Sequence, residues 1–133
     1  MAFIAWFDQL PDEGIGLAAG GKGASLCRLS RNGFPIPEGF IVCAGMFNHF
    51  MAENRLWERL YQTLDTIDWD DGGGSLSNAG EVIRAMITGA HIPPELAGEL
   101  IETYSKLGND VPVAVRSSGT AEDLDDASFA GVV

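Results

Sequence analysis

The sequence predicts an α+β (α/β) protein, in which several helices pack on a small sheet, as one domain over residues 1–133. Two observations support this prediction. Apolar residues recur at helical spacing in the longer segments, and the apolar runs typical of strands are short and widely separated. With 133 residues and 46% apolar content, the chain is long and apolar enough to form one hydrophobic core.

The first third of the chain predicts two strands and a short helix. Residues 3–7 form an apolar run with aromatic side chains, which favours a strand. A glycine-rich turn at 20–23 then opens a helix that is predicted over 24–31. Residues 40–43 form the next apolar run and predict a second, buried strand.

The middle of the chain predicts helices on both sides of a polar loop. Residues 44–64 carry apolar side chains at helical spacing and predict one long helix. Residues 65–77 are acidic and glycine-rich, which is typical of a flexible surface loop. A further helix is predicted over 79–90, where apolar residues share one side.

The last third predicts one helix and two strands. Residues 95–107 form a helix with an apolar side, and Pro94 suits its first turn. The apolar run 111–115 is the clearest strand of the sequence, and 128–133 predicts another strand built of small residues. A polar, acidic segment lies between these two strands.

The formal net charge of −11 argues against two classes of partner. Surfaces that bind nucleic acid or an anionic membrane need clustered Lys and Arg, so we expect no nucleic acid and no membrane as partner. A nucleotide remains compatible with this charge. One or two basic groups and a few backbone N–H groups suffice to hold a phosphate.

The two cysteines, Cys27 and Cys43, favour a reducing compartment. They form no C-x-x-C pair and have no histidine at zinc-like spacing, so we expect buried free thiols. The amino-terminal residues lack the basic stretch of a signal peptide. No apolar run approaches the length of a membrane span. We therefore expect a cytoplasmic protein.

The glycine turn at 20–23 is the first candidate for ligand binding. Glycines allow close backbone approach, their N–H groups can point at an anion, and the start of a helix adds partial positive charge. Lys22 adds a mobile positive charge suited to a phosphate. The spacing is not that of a Walker motif, and by itself the pattern favours a glycine-rich turn with a solvated lysine.

The second candidate is the polar turn that follows the clearest predicted strand. Arg116 stands where open α/β sheets place ligands, and its planar guanidinium suits phosphate oxygens. Ser117, Ser118 and Thr120 add hydroxyl and amide donors. A structural turn, in which Arg116 pairs with the carboxylates of 122–126, is equally consistent with this pattern.

No catalytic side chain and no metal site are predicted in this chain. The carboxylates of 122–126 suit Mg2+, but such a run is more typical of a solvated loop. His49 lies among apolar residues and His91 stands at a helix end. Neither has a Ser, Cys or acidic residue at a spacing suited to general-base catalysis.

Five segments of the chain, in their order, carry a family resemblance. The segments are GGKGASL (20–26), GFPIPEGF (33–40), IP (92–93), AVRSSGTAEDL (114–124) and ASFAG (127–131). Together they resemble the start of phosphoenolpyruvate synthase, pyruvate phosphate dikinase and the related rifampicin phosphotransferases and glucan dikinases. The resemblance covers nearly the whole chain, and its last two segments are the most specific.

The resemblance implies the first lobe of an ATP-grasp fold, with ATP and Mg2+ as cofactors. ATP would lie between this lobe and a second one that carries most of the magnesium ligands. Lys22 and Arg116 would contact the ATP phosphates, and Gly131 would belong to the nucleotide pocket. In this family a phosphoryl group passes from ATP to a histidine on a separate domain and then to an acceptor. Supporting contacts are expected from Gly20, Gly21, Gly23, Ser117, Ser118 and Thr120.

The expected partners are therefore ATP and the remaining domains of a longer parent enzyme. We expect a fragment that binds ATP weakly and does not turn it over, because half of the nucleotide pocket is absent. One alternative is a stand-alone, non-catalytic regulatory or interaction module derived from this lobe. Another is a generic soluble domain in which the Arg116 turn is purely structural.

Overall fold

The computed structural model describes residues 3–121 and has an α+β architecture, which confirms the predicted fold class. The predicted strand 128–133, the acidic run 122–126 and Gly131 lie outside the described residues. In chain order the elements are β1 (Ile4–Trp6), α1 (Ile15–Arg31), β2 (Phe40–Val42), α2 (Ala44–Glu53), α3 (Leu56–Leu64), α4 (Gly74–Thr88) and α5 (Pro94–Ser105).

The described sheet is the antiparallel pair of β1 and β2, at the two places where strands were predicted. Ala5 pairs with Ile41 at the centre of the register, and both side chains are buried. Next to them the rings of Trp6 and Phe40 meet edge to face, with centroids 5.6 Å apart. The two short strands thus give α1 an apolar surface to pack on.

The chain forms two compact units, each with a core of its own. The first combines the described residues of Met1–Phe47 and Glu95–Val133, and the second is Asn48–Pro94. Buried side chains from β1, α1, β2 and the residue after β2 form the first core: Ala5, Ile15, Ala19, Ala24, Cys27, Ile41 and Cys43. Met51, Leu56 and Met86 form the second, where α3 packs on α4.

The single helix predicted over 44–64 is two helices, α2 and α3. The break lies at Asn54 and Arg55, and Arg55 adopts the left-handed conformation with φ of 53°. The Asn54 amide donates to the carbonyls of Phe50 and His91, both at 2.9 Å, and accepts from the His91 N–H at 3.3 Å. An asparagine side chain that bonds to backbone groups competes with helix continuation. Since one partner lies 37 residues away, local periodicity did not indicate the break.

The polar segment predicted as a loop over 65–77 ends earlier than expected, because α4 already begins at Gly74. The carboxylate of Asp71 accepts hydrogen bonds from the N–H groups of Gly73, at 3.0 Å, and Ser75, at 2.9 Å. These are amides at the start of a helix, which have no partner within the helix itself. Asp71 therefore serves as the cap that sets the start of α4.

An acid-dependent loss of stability is expected from Asp71. Its hydrogen bonds with Ser75, first from the side chain and then from the backbone, hold the pKa of Asp71 below its ordinary value. A carboxylate whose pKa is lowered by folding stabilises the protein above the pKa of the unfolded state. That contribution is lost as pH falls through the folded pKa. We expect Asp71→Asn to reduce the acid-induced fall in melting temperature, followed by circular dichroism over an acid titration.

The matched control for this titration is Asp70→Asn. It removes the same charge one residue away and leaves both hydrogen bonds to the Asp71 carboxylate in place. The control should keep the acid dependence of the wild type. An Asp71→Asn protein with the wild-type acid dependence would contradict the assigned role of Asp71.

The strand predicted over 111–115 is wrong for the described part of the chain. These residues belong to neither strand of the β1–β2 sheet, and the side chains of Val113 and Val115 are 50% and 90% exposed. A strand requires a hydrogen-bonding partner, and an apolar run predicts only the propensity to form one. The helix before this run, α5, ends at Ser105, two residues before the end of the helix predicted over 95–107.

The remaining helix predictions agree with the structure. The helix predicted over 79–90 lies within α4, apart from its last two residues. The helix predicted over 95–107 is α5, which begins at Pro94 as its first residue. None of the helices in residues 3–121 combines the length and the apolar content that a membrane crossing requires.

Candidate functional site

The candidate site is built around a kink in α1. Gly20 has φ of 70° and ψ of 175°, so the helix is interrupted there and starts again at Gly21. The predicted helix start near the glycine turn is thus confirmed, but it lies at Gly21 and not at Ala24. A preceding helical segment, from Ile15 to Ala19, was not indicated by the sequence pattern.

The second candidate turn, 116–120, packs directly onto this kink. The Gly21 N–H donates to the carbonyl of Gly119 at 3.1 Å, and the Gly23 N–H donates to Ser118 Oγ at 3.0 Å. Ser118 Oγ in turn donates to the carbonyl of Ala19 at 2.6 Å. Three hydrogen bonds therefore join two segments that lie almost one hundred residues apart in the sequence.

These contacts make residues 118 and 119 the cap of the second half of α1. The first N–H groups of a helix lack helical partners, and an oxygen at the cap position normally accepts from them. Here the accepting oxygens come from Ser118 and Gly119, far away in sequence. The amides of Gly21 and Gly23 are thus donors within the chain in this structure, whereas the sequence pattern predicted that they point at an external anion.

The fit between the two turns depends on the absence of side chains at the glycines. A Cβ atom at Gly20 would lie 2.5 Å from both the carbonyl oxygen and the hydroxyl oxygen of Ser118. At Gly23 it would lie 2.9 Å from the Cβ of Ala19 and 3.2 Å from Ile41 Cδ1. Glycines at these positions let the backbones approach closely, as the glycine-rich sequence predicted.

The two predicted phosphate-binding cations stand on the two joined segments. Lys22 is exposed and lies in the first turn of the second half of α1. Arg116 is exposed and lies two residues before the Ser118 contact. Ser117 and Thr120 flank Ser118 and are exposed as well. The structure therefore brings together the chain segments of every predicted site residue except Gly131, which lies outside the described range.

Other groups near α1 have different roles. The guanidinium of Arg31 pairs with the Asp12 carboxylate at 2.6 Å, so this cation serves an internal ion pair. Cys27 and Cys43 are free and buried, as predicted, and burial raises the pKa of both thiols. Within residues 3–121 no group of three or more His, Cys, Asp or Glu side chains is arranged to hold a metal.

A separate cavity of about 460 Å3 does not coincide with this site. It contains none of the predicted ligand-binding residues, and its charged lining side chains are the carboxylates of Asp8 and Glu38. Carboxylates repel a polyphosphate, so this cavity is unsuited to the ATP phosphates. The joined turns at α1 remain the candidate site.

Sequence reasoning missed two groups of the site, the carbonyls of Ala19 and Gly119. Both act through the backbone, so their residue types carry no direct signal. The available signal was indirect: consecutive glycines at 20 and 21 indicate a position where another backbone comes close. It identified the place of contact but not the partner.

A family model described as the AMP/ATP-binding domain of pyruvate phosphate dikinase matches residues 17–133, which include both turns. The chain belongs to this family. As a member it is an AMP/ATP-binding, amino-terminal domain of the dikinase type, which confirms the resemblance of its sequence motifs.

Relatives of the domain are phosphoenolpyruvate synthases. The chain is 45% identical to a probable phosphoenolpyruvate synthase of Methanocaldococcus jannaschii, over 98% of this chain and 11% of that protein. It is 40% identical to the phosphoenolpyruvate synthase of Aquifex aeolicus, over 98% of this chain and 16% of that protein. It is also 40% identical to the phosphoenolpyruvate synthase of Escherichia coli, over 96% of this chain and 17% of that protein. The dikinase-type domain thus spans less than a fifth of the length of these relatives.

Proposed function

We propose that this domain holds the phosphates of ATP with Lys22 and Arg116, for phosphoryl transfer to a histidine on a separate domain of a parent enzyme. The observation that carries the proposal is the docking of turn 116–120 onto the kink at Gly20 through Ser118 and Gly119. It fixes the segments of two exposed cations against each other. Two cations on segments that are hydrogen-bonded to each other suit a single polyphosphate.

The two cations would contribute through charge and position. The guanidinium of Arg116 offers a planar set of N–H donors for phosphate oxygens, and the Lys22 ammonium offers a compact charge. Phosphoryl transfer needs little covalent chemistry from the protein, because positioning and neutralisation of charge supply most of the effect. The second half of α1, residues 21–31, contains no acidic side chain that would oppose an anion.

The complete nucleotide pocket would be that of an ATP-grasp fold, in which a second lobe closes over ATP. Gly131 and the remaining domains of the parent would supply further contacts. Mg2+ would accompany ATP in the parent enzyme, and the family resemblance implies that most of its protein ligands belong to the second lobe. The free, buried thiols Cys27 and Cys43 support a reducing, cytoplasmic setting for the protein.

The test is a calorimetric titration of the 133-residue chain with Mg-ATP. We expect Lys22→Ala and Arg116→Ala each to weaken binding by about tenfold to a hundredfold, since a hydrogen bond to a charged group contributes about 1.5–3 kcal/mol. The effect should appear without any loss of helical circular dichroism, because both side chains are exposed.

Matched controls separate contact from general electrostatics. Arg84→Ala removes an exposed cation from α4, and Lys106→Ala removes one that directly follows α5. Neither should change the affinity by more than about twofold, since exposed charges are screened by salt. Equal losses in the controls and the site variants would reject the assignment of Lys22 and Arg116. Wild-type affinity in both site variants would reject the proposed site altogether.

A further inference from the structure

We propose that Ser118 is a positioning residue, which sets Arg116 against Lys22 and does not itself bind the nucleotide. This inference rests on the proposed function, because it concerns how the two proposed phosphate-binding cations are held. It changes the role that the sequence suggested for Ser118, where the hydroxyl was a supporting donor to phosphate.

The Ser118 hydroxyl is already engaged in hydrogen bonds within the chain, both as donor and as acceptor. A serine hydroxyl has one hydrogen to donate, and Ser118 Oγ donates it to the carbonyl of Ala19 at 2.6 Å. The same oxygen accepts from the Gly23 N–H at 3.0 Å. Phosphate oxygens need donors, and the only donor of this side chain is already used inside the chain.

The two hydrogen-bond partners of Ser118 Oγ would bond to each other in an uninterrupted α1. In a continuous helix the carbonyl of residue 19 accepts from the N–H of residue 23, four positions later. Gly20, with φ of 70°, interrupts the helix between them. Ser118 Oγ bridges these same two groups, so its hydroxyl is inserted into the hydrogen-bond ladder of α1 at the kink. The kink and the turn therefore depend on one another.

Ser118 links the backbone segments that carry the two proposed phosphate-binding cations. Arg116 lies two residues before it, and Lys22 lies between Gly21 and Gly23, the two amides that the turn caps. Whatever fixes Ser118 thus fixes the backbone at both cations. Ser117, by contrast, is exposed and lies beside Arg116, which suits a side chain that faces a ligand.

The experiment compares Ser118→Ala with Ser117→Ala, and combines each with Arg116→Ala, in titrations with Mg-ATP. Ser118→Ala leaves the Gly23 N–H and the Ala19 carbonyl without their bridge, and we expect ATP affinity to fall by about tenfold. Ser118→Thr keeps a hydroxyl and should recover most of the affinity. Circular dichroism shows that each variant is folded at the temperature of titration.

The double variants separate positioning from mere structural support. If Ser118 positions Arg116, then Arg116→Ala should have little further effect in the Ser118→Ala protein and its full effect in the Ser117→Ala protein. A full effect of Arg116→Ala in the Ser118→Ala protein, or wild-type affinity of Ser118→Ala, would overturn the inference. If Lys22→Ala and Arg116→Ala bind like the wild type, the proposed function fails and this inference with it.

A measurement on the wild-type protein covers the case in which Ser118→Ala does not fold. In amide hydrogen exchange followed by NMR, the Gly23 N–H should be protected, and it should stay protected when Mg-ATP is added. Exposure of this amide on addition of Mg-ATP would show that Ser118 leaves α1 for the ligand, and would overturn the positioning role.

Discussion

Replacing Gly20 by alanine is expected to lower the free energy of unfolding by about 3 kcal/mol or more. Gly20 has φ of 70° and ψ of 175°, a region of backbone conformation that is accessible essentially to glycine alone. The strain of placing an L-residue there is about 1–3 kcal/mol. The added methyl group would also lie 2.5 Å from the carbonyl oxygen of Ser118, which is backbone and cannot rotate away.

The loss from Gly20→Ala should be accompanied by release of the turn. To relieve the clash, Ser118 must move, and the hydrogen bonds to Ala19 and Gly23 break with it. The measurement is urea unfolding followed by circular dichroism. Gly16→Ala is the matched control in the same helix, because a Cβ atom at Gly16 meets nothing within 4 Å and its φ is not positive. The control should gain about 0.5 kcal/mol, as alanine is the better helix former.

A loss below about 1 kcal/mol for Gly20→Ala, relative to Gly16→Ala, would contradict this account, since strain alone accounts for at least that amount. It would mean that the kink adapts to a side chain and that the close approach of Ser118 is not required.

Replacing Met51 by alanine is expected to lower the free energy of unfolding of the second unit by about 3 kcal/mol, within the usual range of about 2–5. The Met51 side chain is completely buried, with Leu56 and Met86 in the same core. Partly buried side chains of the same unit close around them: Phe50, Trp57, Leu60, Ile83, Ile87 and Ala90. Truncation leaves a cavity that this well-packed surrounding fills only in part.

The fluorescence of Trp57 provides the measurement, because this ring packs against the second core. Trp57 is the sole tryptophan in a background of Trp6→Phe and Trp69→Phe, since the chain has three. Urea unfolding in this background compares Met51→Ala with two controls. Met51→Leu nearly conserves volume and should lose less than about 1.5 kcal/mol. Val82→Ala removes a side chain that is 53% exposed and should change stability by about 0.5 kcal/mol or less.

Equal losses for Met51→Ala and Val82→Ala would contradict the assignment of Met51 to the core of the second unit. A large loss for Met51→Leu would mean instead that the shape of the side chain, and not only its volume, is required there.

Most of the secondary structure was predictable from local patterns, because helix formation depends mainly on residues within a few positions of each other. The apolar spacing over 79–90 and 95–107 is set by neighbours on the same helix, and α4 and α5 form there. The predictions were wrong where a hydrogen-bond partner far away in the sequence determines the backbone conformation. The break between α2 and α3 depends on a bond from Asn54 to His91, and the run 111–115 has strand propensity without a place in the described sheet.

The candidate site divides in the same way. Its two turns were visible as a cluster of glycines with Lys22 and as a polar turn with Arg116, and the family they indicate is confirmed. That these cations hold ATP stays a prediction. The sequence did not show that Ser118 caps α1. A serine beside an arginine suggests a hydroxyl that donates a hydrogen bond to phosphate, and only its observed partners show otherwise.

The sequence by itself determined the α+β class, the family and the positions of the two turns, since each depends on residue types at short spacing. Only the tertiary structure decided that the turns meet, that two glycine amides donate within the chain, and that the hydroxyl of Ser118 completes a helix 95 residues away. A hydroxyl can donate to a carbonyl or to a phosphate with similar ease. Which of these it does depends on the groups that folding places beside it.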